Sequence, residues 1–212
     1  MDKDESLFKK GTTTLGLVCK DGVVMAADKR ATMGHLIGHK DTKKLYRISD
    51  SMGLTIAGLV GDAQMLTRWL SAEVNLFELK RDQNMTVKAA STLLSNIMNG
   101  RKHMPFWVQL LVGGIDRDGH HVYSIDAAGG AIPDKFNTTG SGSPFVYGVL
   151  EDHFKENMSL EEGAMLAVRA MNAAMKRDSA SGDGISMCTI DSNGYHNFED
   201  DEIKAIQTKL AA

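Results

Sequence analysis

Cysteine, proline and long apolar runs are what this 212-residue chain has least of. Its two cysteines, Cys19 and Cys188, lie far apart, each among apolar neighbours. Two thiols exclude a disulfide framework and a four-cysteine zinc site; they fit small buried side chains in a reducing compartment. Three prolines stand against 21 glycines, so many turns rely on a permissive backbone, as in a strand-rich fold. No apolar run approaches the ~20 residues of a membrane span. Met1 to Lys10 carries Asp2, Lys3, Asp4, Glu5, Lys9 and Lys10, too polar a start for a secretory signal. An excess of one charge is missing too. Lys and Arg number 24 and Asp and Glu 27, a net charge of −3. General nucleic-acid and acidic-membrane binders are mostly basic, so both partner classes are disfavoured. The expectation is a cytoplasmic protein with neither partner.

What is present is the makings of one domain. A globule of this length buries about 70% of its unfolded surface and needs no staple. Thr12 to Cys19 reads as a strand, Lys20-Asp21-Gly22 as a turn, and Val23 to Asp28 as the returning strand. A loop rich in Gly and His follows. Lys43 to Ser49 and Leu54 to Val60 form a second hairpin. The period then changes. Leu66, Leu70, Val74 and Phe77 mark a helix over 62–81, and Val87, Ala90, Leu94, Ile97 and Met98 a second one capped by Thr86. Strands return over 107–115, 121–126 and 131–139. Pro144 enters a third helix, and Ser159 with Glu162 makes a capping box for a fourth, to about Lys176. A hairpin over 185–198 and a helix over 199–210 close the chain.

Strands, two helices, strands, two helices, strands, helix is not the alternation of a parallel sheet. It predicts an α+β four-layer αββα sandwich, two antiparallel sheets face to face between helix pairs. Strands such as Val23 to Ala27 and Val108 to Val112 are then covered on both faces, which explains their unbroken apolar character. Met65, Trp69 and Met98 on the helices suit either an interface or the core.

Few residues carry chemistry by spacing alone. Gly11-Thr12 fits either an edge strand behind a frayed terminus or a processing site. Cleavage there would give Thr12 a free α-amine beside its own hydroxyl. With a pKa near 7.7–8.0, that amine can act as the base for its own nucleophile. Asp28 alone reads as a hairpin-end acid, Lys44 as a solvated strand start, and Gly58 as a strand-end turn. Gly140-Ser141-Gly142 lacks the Gly-Lys-Ser/Thr ending of a phosphate loop. Asp178 to Gly182 passes for a helix-stop loop. His35, His39, His120 and His121 have no ligand spacing around them and read as solvated turn or loop histidines, so no metal and no cofactor are expected.

The blocks taken together resemble a known family. Gly11-Thr12-Thr13-Thr14-Leu15-Gly16 is similar to the processing site and mature start of archaeal 20S proteasome β subunits. The likeness continues through Asp28-Lys29-Arg30-Ala31-Thr32-Met33-Gly34, Lys43-Lys44-Leu45-Tyr46 and Ala57-Gly58-Leu59-Val60-Gly61-Asp62-Ala63-Gln64. It runs on through Val108 to Asp116, Ser124 to Gly130 and Thr139 to Ser143, and ends with Arg177-Asp178-Ser179-Ala180-Ser181-Gly182. The resemblance implies the N-terminal-nucleophile hydrolase fold and a threonine-type endopeptidase. In that case residues 1–11 are a propeptide removed by self-cleavage between Gly11 and Thr12, and residues 12–212 the catalytic domain. It also implies Thr12 as nucleophile, Asp28 and Lys44 as its charged neighbours, and Gly58 as oxyanion donor. Ser141, Asp178 and Ser181 become the polar group around the amine. Ala31, Thr32, Thr42, Tyr46, Ile56, Val60 and Gln64 line the substrate pocket, small or apolar enough for a chymotrypsin-like preference. The implied partners are proteasome α subunits and other β subunits in stacked heptameric rings, a proteasome-activating ATPase acting through the α ring, and unfolded polypeptides. A bacterial proteasome-like peptidase of two six-membered rings, an inactive ring subunit and a small-molecule amidase are the alternatives. The first two differ from the main reading in the leader and block sequences, or in losing the Thr, the Lys or the Gly before the Thr.

Overall fold

The structure, a computed structural model, describes residues 11–211; the rest of the expected propeptide, residues 1–10, lies outside the described residues. Among the described residues twelve strands and five helices form, most of them where the sequence changes period. One five-stranded sheet is built from β1 (Thr14–Cys19), β2 (Gly22–Asp28), β10 (Phe136–Thr139), β11 (Ile185–Asp191) and β12 (Gly194–Asn197), in the order β10-β1-β2-β11-β12. The other is built from β5 (Leu45–Ser49), β6 (Met52–Gly58), β7 (Val108–Asp116), β8 (Gly119–Ile125) and β9 (Ala131–Asp134), in chain order. All pairings in both are antiparallel, with Thr14 opposite Ala27 and Ile56 opposite Leu110. Helices α1 (Val60–Arg81) and α2 (Val87–Gly100) pack on the second sheet. α3 (Ser143–His153), α4 (Leu160–Arg177) and α5 (Asp200–Ala211) cover the first. The result is the expected αββα sandwich, with a third helix added to one outer layer.

The apolar side chains sort into three layers. Leu15, Leu17, Val24 and Ala26 face α3 and α4, where Val146, Leu150, Val168 and Met171 meet them. Met52, Leu54, Leu110 and Val112 face Leu66, Leu70, Leu94 and Met98 of α1 and α2. Between the sheets lie Val23, Met25, Leu111, Val122, Cys188 and Ile190. β2 thus feeds alternate side chains into two cores, so no residue from Val23 to Ala27 is exposed at all. Both cysteines are buried and free, and burial pushes each thiol up to about 12. Met98 belongs wholly to the core, Met65 lies partly buried at its edge, and Trp69 is exposed.

The capping expectations at α2 and α4 hold in detail. Thr86 Oγ1 accepts the Ala89 N–H, and Ser159 and Glu162 satisfy each other's backbone N–H groups. Three elements differ from expectation. The Gly- and His-rich loop contains a hairpin, β3 (Ala31–Met33) and β4 (Leu36–His39). Its Met33, Leu36 and Ile37 stay exposed, so no buried face imposes an alternating pattern. The single strand expected over 131–139 is two strands in different sheets, with Lys135 alone between them. Pro133, which has no N–H to give, suits β9 as an edge strand. His120 and His121 lie within β8, half-buried. His120 Nδ1 is 3.1 Å from the Cys19 carbonyl and His121 Nε2 is 3.3 Å from Asp116, so they are not freely solvated turn residues. Among the described residues, no cluster of His, Cys, Asp and Glu could hold a metal, and no helix is long and apolar enough to cross a membrane.

Candidate active site

The site forms at one end of the sandwich, where strand ends of the two sheets come together. Thr12 and Thr13 lead into β1, and Asp28 ends the adjacent β2. The two strands close around each other: the Asp28 N–H donates to the Thr13 carbonyl, and the Thr13 N–H donates to Asp28 Oδ1 at 2.9 Å. The Asp28 side chain is completely buried. Its Oδ1 also accepts from Lys44 Nζ at 2.7 Å, while Oδ2 accepts from the backbone N–H groups of Arg30 (3.1 Å) and Gly182 (3.0 Å). Four donors on one carboxylate offset its desolvation. Lys44 stands just before β5, so the Asp28–Lys44 pair joins one sheet to the other. Lys44 is 6% exposed. Its burial lowers its pKa below the usual lysine value, and Asp28 opposes that shift.

A second set of bonds reaches Thr12 from the helical side. The turn before α3 carries Ser141, and α4 ends at Asp178. The Thr12 N–H donates to Ser141 Oγ at 3.3 Å, and Ser141 Oγ donates to Asp178 Oδ2 at 2.6 Å. Ser181 Oγ donates to the same Asp178 oxygen at 2.6 Å and lies 2.7 Å from Thr13 Oγ1. Thr12 Oγ1 itself donates to the Gly11 carbonyl at 2.7 Å. The hydroxyl therefore lies beside the peptide bond that precedes it. Gly11 is pressed against Ala180, whose Cβ would overlap any Cβ placed on Gly11.

Gly58 closes the constellation from β6. Its φ of 127° is one that side chains rarely allow, and an added Cβ would run into the Trp107 carbonyl. A cavity of about 30 Å³ lies beside Thr12, lined by Gly11, Ala31, Thr42, Lys43, Tyr46, Ile56, Gly58, Val60 and Ala63 among others. Five of the seven expected pocket residues are there. Thr32 is not; its buried hydroxyl accepts the Gly11 N–H at 3.1 Å. Gln64 is exposed on α1, one residue past Ala63, which lines the cavity instead. Helical spacing turns the side chain after Ala63 away from the cleft.

The structure thus brings Thr12, Asp28, Lys44, Ser141, Asp178 and Ser181 into one hydrogen-bonded group, with Gly58 across the cleft. Thr13 and Arg30 belong to it too and were missed. Thr13 is indistinguishable by pattern from its threonine neighbours, and Arg30 looks like any charge at a strand end.

Two antiparallel sheets packed face to face between helices, with a buried threonine leading one central strand, define the N-terminal-nucleophile hydrolase sandwich. Within that class the chain belongs to the proteasome subunit family, whose model matches residues 8–190. Its relatives include a proteasome subunit beta of Methanohalophilus mahii, 52% identical over 211 residues, covering 99% of this chain and all of that one. Another, of Archaeoglobus profundus, is 52% identical over 95% of this chain and 94% of its own. A third, of Archaeoglobus fulgidus, is 51% identical over 99% of both.

Proposed function

We propose that the chain is a catalytic β subunit of a proteasome core particle, cutting peptide bonds with Thr12 as nucleophile. The observation that carries this reading is Thr12 itself: its Oγ1 lies 2.7 Å from the Gly11 carbonyl oxygen, its N–H donates to Ser141, and the next N–H, of Thr13, donates to the Asp28 carboxylate that holds Lys44. In the intact chain the Thr12 nitrogen is an amide and cannot act as a base. In this reading its hydroxyl, which donates to the Gly11 carbonyl oxygen, attacks the Gly11 carbonyl carbon. As the C–O bond forms the C–N bond breaks, the hydroxyl proton passing to the Thr12 nitrogen, and water then hydrolyses the ester. The leader, residues 1–11, leaves with a new carboxylate, and Thr12 keeps a free α-amine.

In the mature site that amine takes the hydroxyl proton while Oγ1 attacks the substrate carbonyl. The cation of Lys44, held by Asp28, favours the neutral amine and the developing alkoxide. The oxyanion develops towards the Gly58 backbone. Collapse expels the leaving amine, which carries the proton away, and leaves an ester on Thr12. A water deprotonated by the α-amine hydrolyses that ester. Ser141 and Asp178 orient the amine, and Ser181 braces Asp178. ATP has no part in these steps.

Before cleavage the cavity has room for little more than water. Gly11 is one of its walls, so losing the leader enlarges it. Ala31, Ile56, Val60 and Ala63 offer no carboxylate to a basic side chain, which supports apolar or aromatic residues before the cut. As a family member the chain would work in stacked heptameric rings with α-type and other β-type subunits. There it would degrade unfolded polypeptides admitted by a partner ATPase.

The test is intact mass after co-expression with an α-type ring subunit. A product starting at Thr12 that cuts a phenylalanine-terminated fluorogenic peptide faster than an arginine-terminated one is expected. A full-length chain in assembled rings would instead favour an inactive structural subunit.

A further inference from the structure

Arg30 follows β2 and faces the turn after α4, to which both its Nε and its Nη1 donate. Nε donates to Asp183 Oδ2 at 2.7 Å, and Nη1 donates to the Ser179 carbonyl at 2.9 Å. The guanidinium lies against Gly182, where a Cβ would come within 2.5 Å of Cζ and Nη2. The backbone joins the same seam. The Arg30 N–H and Gly182 N–H share Asp28 Oδ2, and the Lys29 N–H is shared between the Gly182 and Gly184 carbonyls at 3.2 Å. The gripped turn has a reason to open. Asp183 has a φ of 62° and Gly184 one of 123°, so neither belongs to a strand or helix that would hold it. Yet this turn presents Asp178 and Ser181 to the hydroxyls of Ser141 and Thr13.

We propose that Arg30 is a positioning residue, whose fork on Asp183 and Ser179 fixes the 178–184 turn so that the Ser141–Asp178–Ser181 hydroxyl chain meets the Thr12 nitrogen. The Arg30 side chain bonds to Asp183 and Ser179 rather than to Thr12. It acts through the turn, which is why its planar, two-pronged donor matters and a point charge does not replace it. The pair is partly solvated, with side-chain exposures of 21% and 17%. An ion pair so placed contributes little to global stability, so its conservation of geometry is where its effect falls. For catalysis the inference rests on the threonine-peptidase reading above.

The experiment uses particles assembled from chains that already begin at residue 12, carrying Arg30→Met, Arg30→Lys or Asp183→Asn, with Thr12→Ala made in the same way as a control. Peptide hydrolysis gives kcat and KM, and hydrogen exchange resolved to residues reports the turn. For Arg30→Met we expect kcat to fall about tenfold or more with KM unchanged, the mark of lost transition-state positioning. Ser181 and Gly182 amides should exchange about tenfold faster while β1 and β2 amides do not change. Arg30→Lys should not restore kcat, and Asp183→Asn, which keeps the Ser179 bond, should show the same changes at smaller size. An Arg30→Met particle with wild-type kcat, full rescue by lysine, or faster exchange spread through the sandwich would each overturn the proposal. If Arg30→Met does not assemble, Asp183→Asn decides by the same readings. Should wild type and Thr12→Ala hydrolyse peptide equally, the peptidase reading fails, and the exchange at Ser181 and Gly182 still decides the clamp.

Discussion

Lys44→Met removes one ammonium from the site and keeps most of the stem that fills its space. The loss in stability can be worked out from the partners of Asp28. Breaking a buried ion pair typically costs about 3–5 kcal/mol, because a lone charge is left behind. Here the carboxylate keeps the N–H groups of Thr13, Arg30 and Gly182 at 2.9, 3.1 and 3.0 Å. What disappears is one charge-assisted bond, worth about 1.5–3 kcal/mol, less the desolvation that Lys44 no longer suffers. A net loss of about 1–3 kcal/mol follows, or a few to about ten degrees in Tm for a chain of this size. The rate is another matter. If Lys44 sets the protonation of the Thr12 amine, turnover should fall by about 10²-fold or more, the usual scale of acid–base assistance. Thermal melting and fluorogenic peptide turnover on the same processed particles give both numbers. A particle that melts a few degrees lower but turns over at the wild-type rate would refute the role given to Lys44. pH adds a sign. The lysine pKa is lowered in the folded chain, so between that value and 10.5 the unfolded chain binds more protons. Wild-type stability should gain with pH across that window relative to Lys44→Met; a constant difference would contradict the burial of a charged lysine.

Gly11→Ala should block processing, since the new Cβ overlaps Ala180; intact mass over time would show the full-length chain persisting. Particles assembled from chains already starting at Thr12 lack residue 11 and should be unaffected. Gly58→Ala meets both a positive φ and the Trp107 carbonyl, so a Tm loss together with lost turnover is expected. A variant that melts like wild type would show that β6 ends differently. Ser159→Ala breaks the capping box at the start of α4, far from Thr12, and should cost about 1 kcal/mol in denaturant unfolding with peptide turnover intact.

The architecture was legible wherever burial wrote a period into the sequence. α1, α2 and α4 show their apolar stripes, and the unbroken run of β2 marks a strand covered on both faces. The β3–β4 hairpin was invisible because its apolar residues point to solvent. The division between β9 and β10 was hidden because a strand that changes sheet keeps its extended backbone and shows no break in pattern. For the site, residue type alone left the Gly11-Thr12 junction open between an edge strand behind a frayed terminus and a processing site. Asp28, Lys44, Asp178 and Ser181 could not be read as chemistry, since 16 positions separate the first two and about 130 more the others. Resemblance supplied them. It gave no account of why Arg30 stands beside Gly182, which only the packing explains.

The passage of the chain from β9 through Lys135 into β10 has a mechanical consequence. One continuous peptide is hydrogen-bonded into both sheets, at Ile132 beside Ser124 and at Thr138 beside Leu15. The sheets are riveted at that point and cannot slide past one another without tearing a ladder. The Asp28–Lys44 pair spans the same seam. Separation of the layers therefore has to act as a hinge about the rivet, and the first strain falls on that ion pair. A bulky side chain wedged between the sheets, at Gly53 or Gly113 against Met25, would load that hinge from a distance; if Thr12 is the nucleophile, turnover should fall without any change at the site itself.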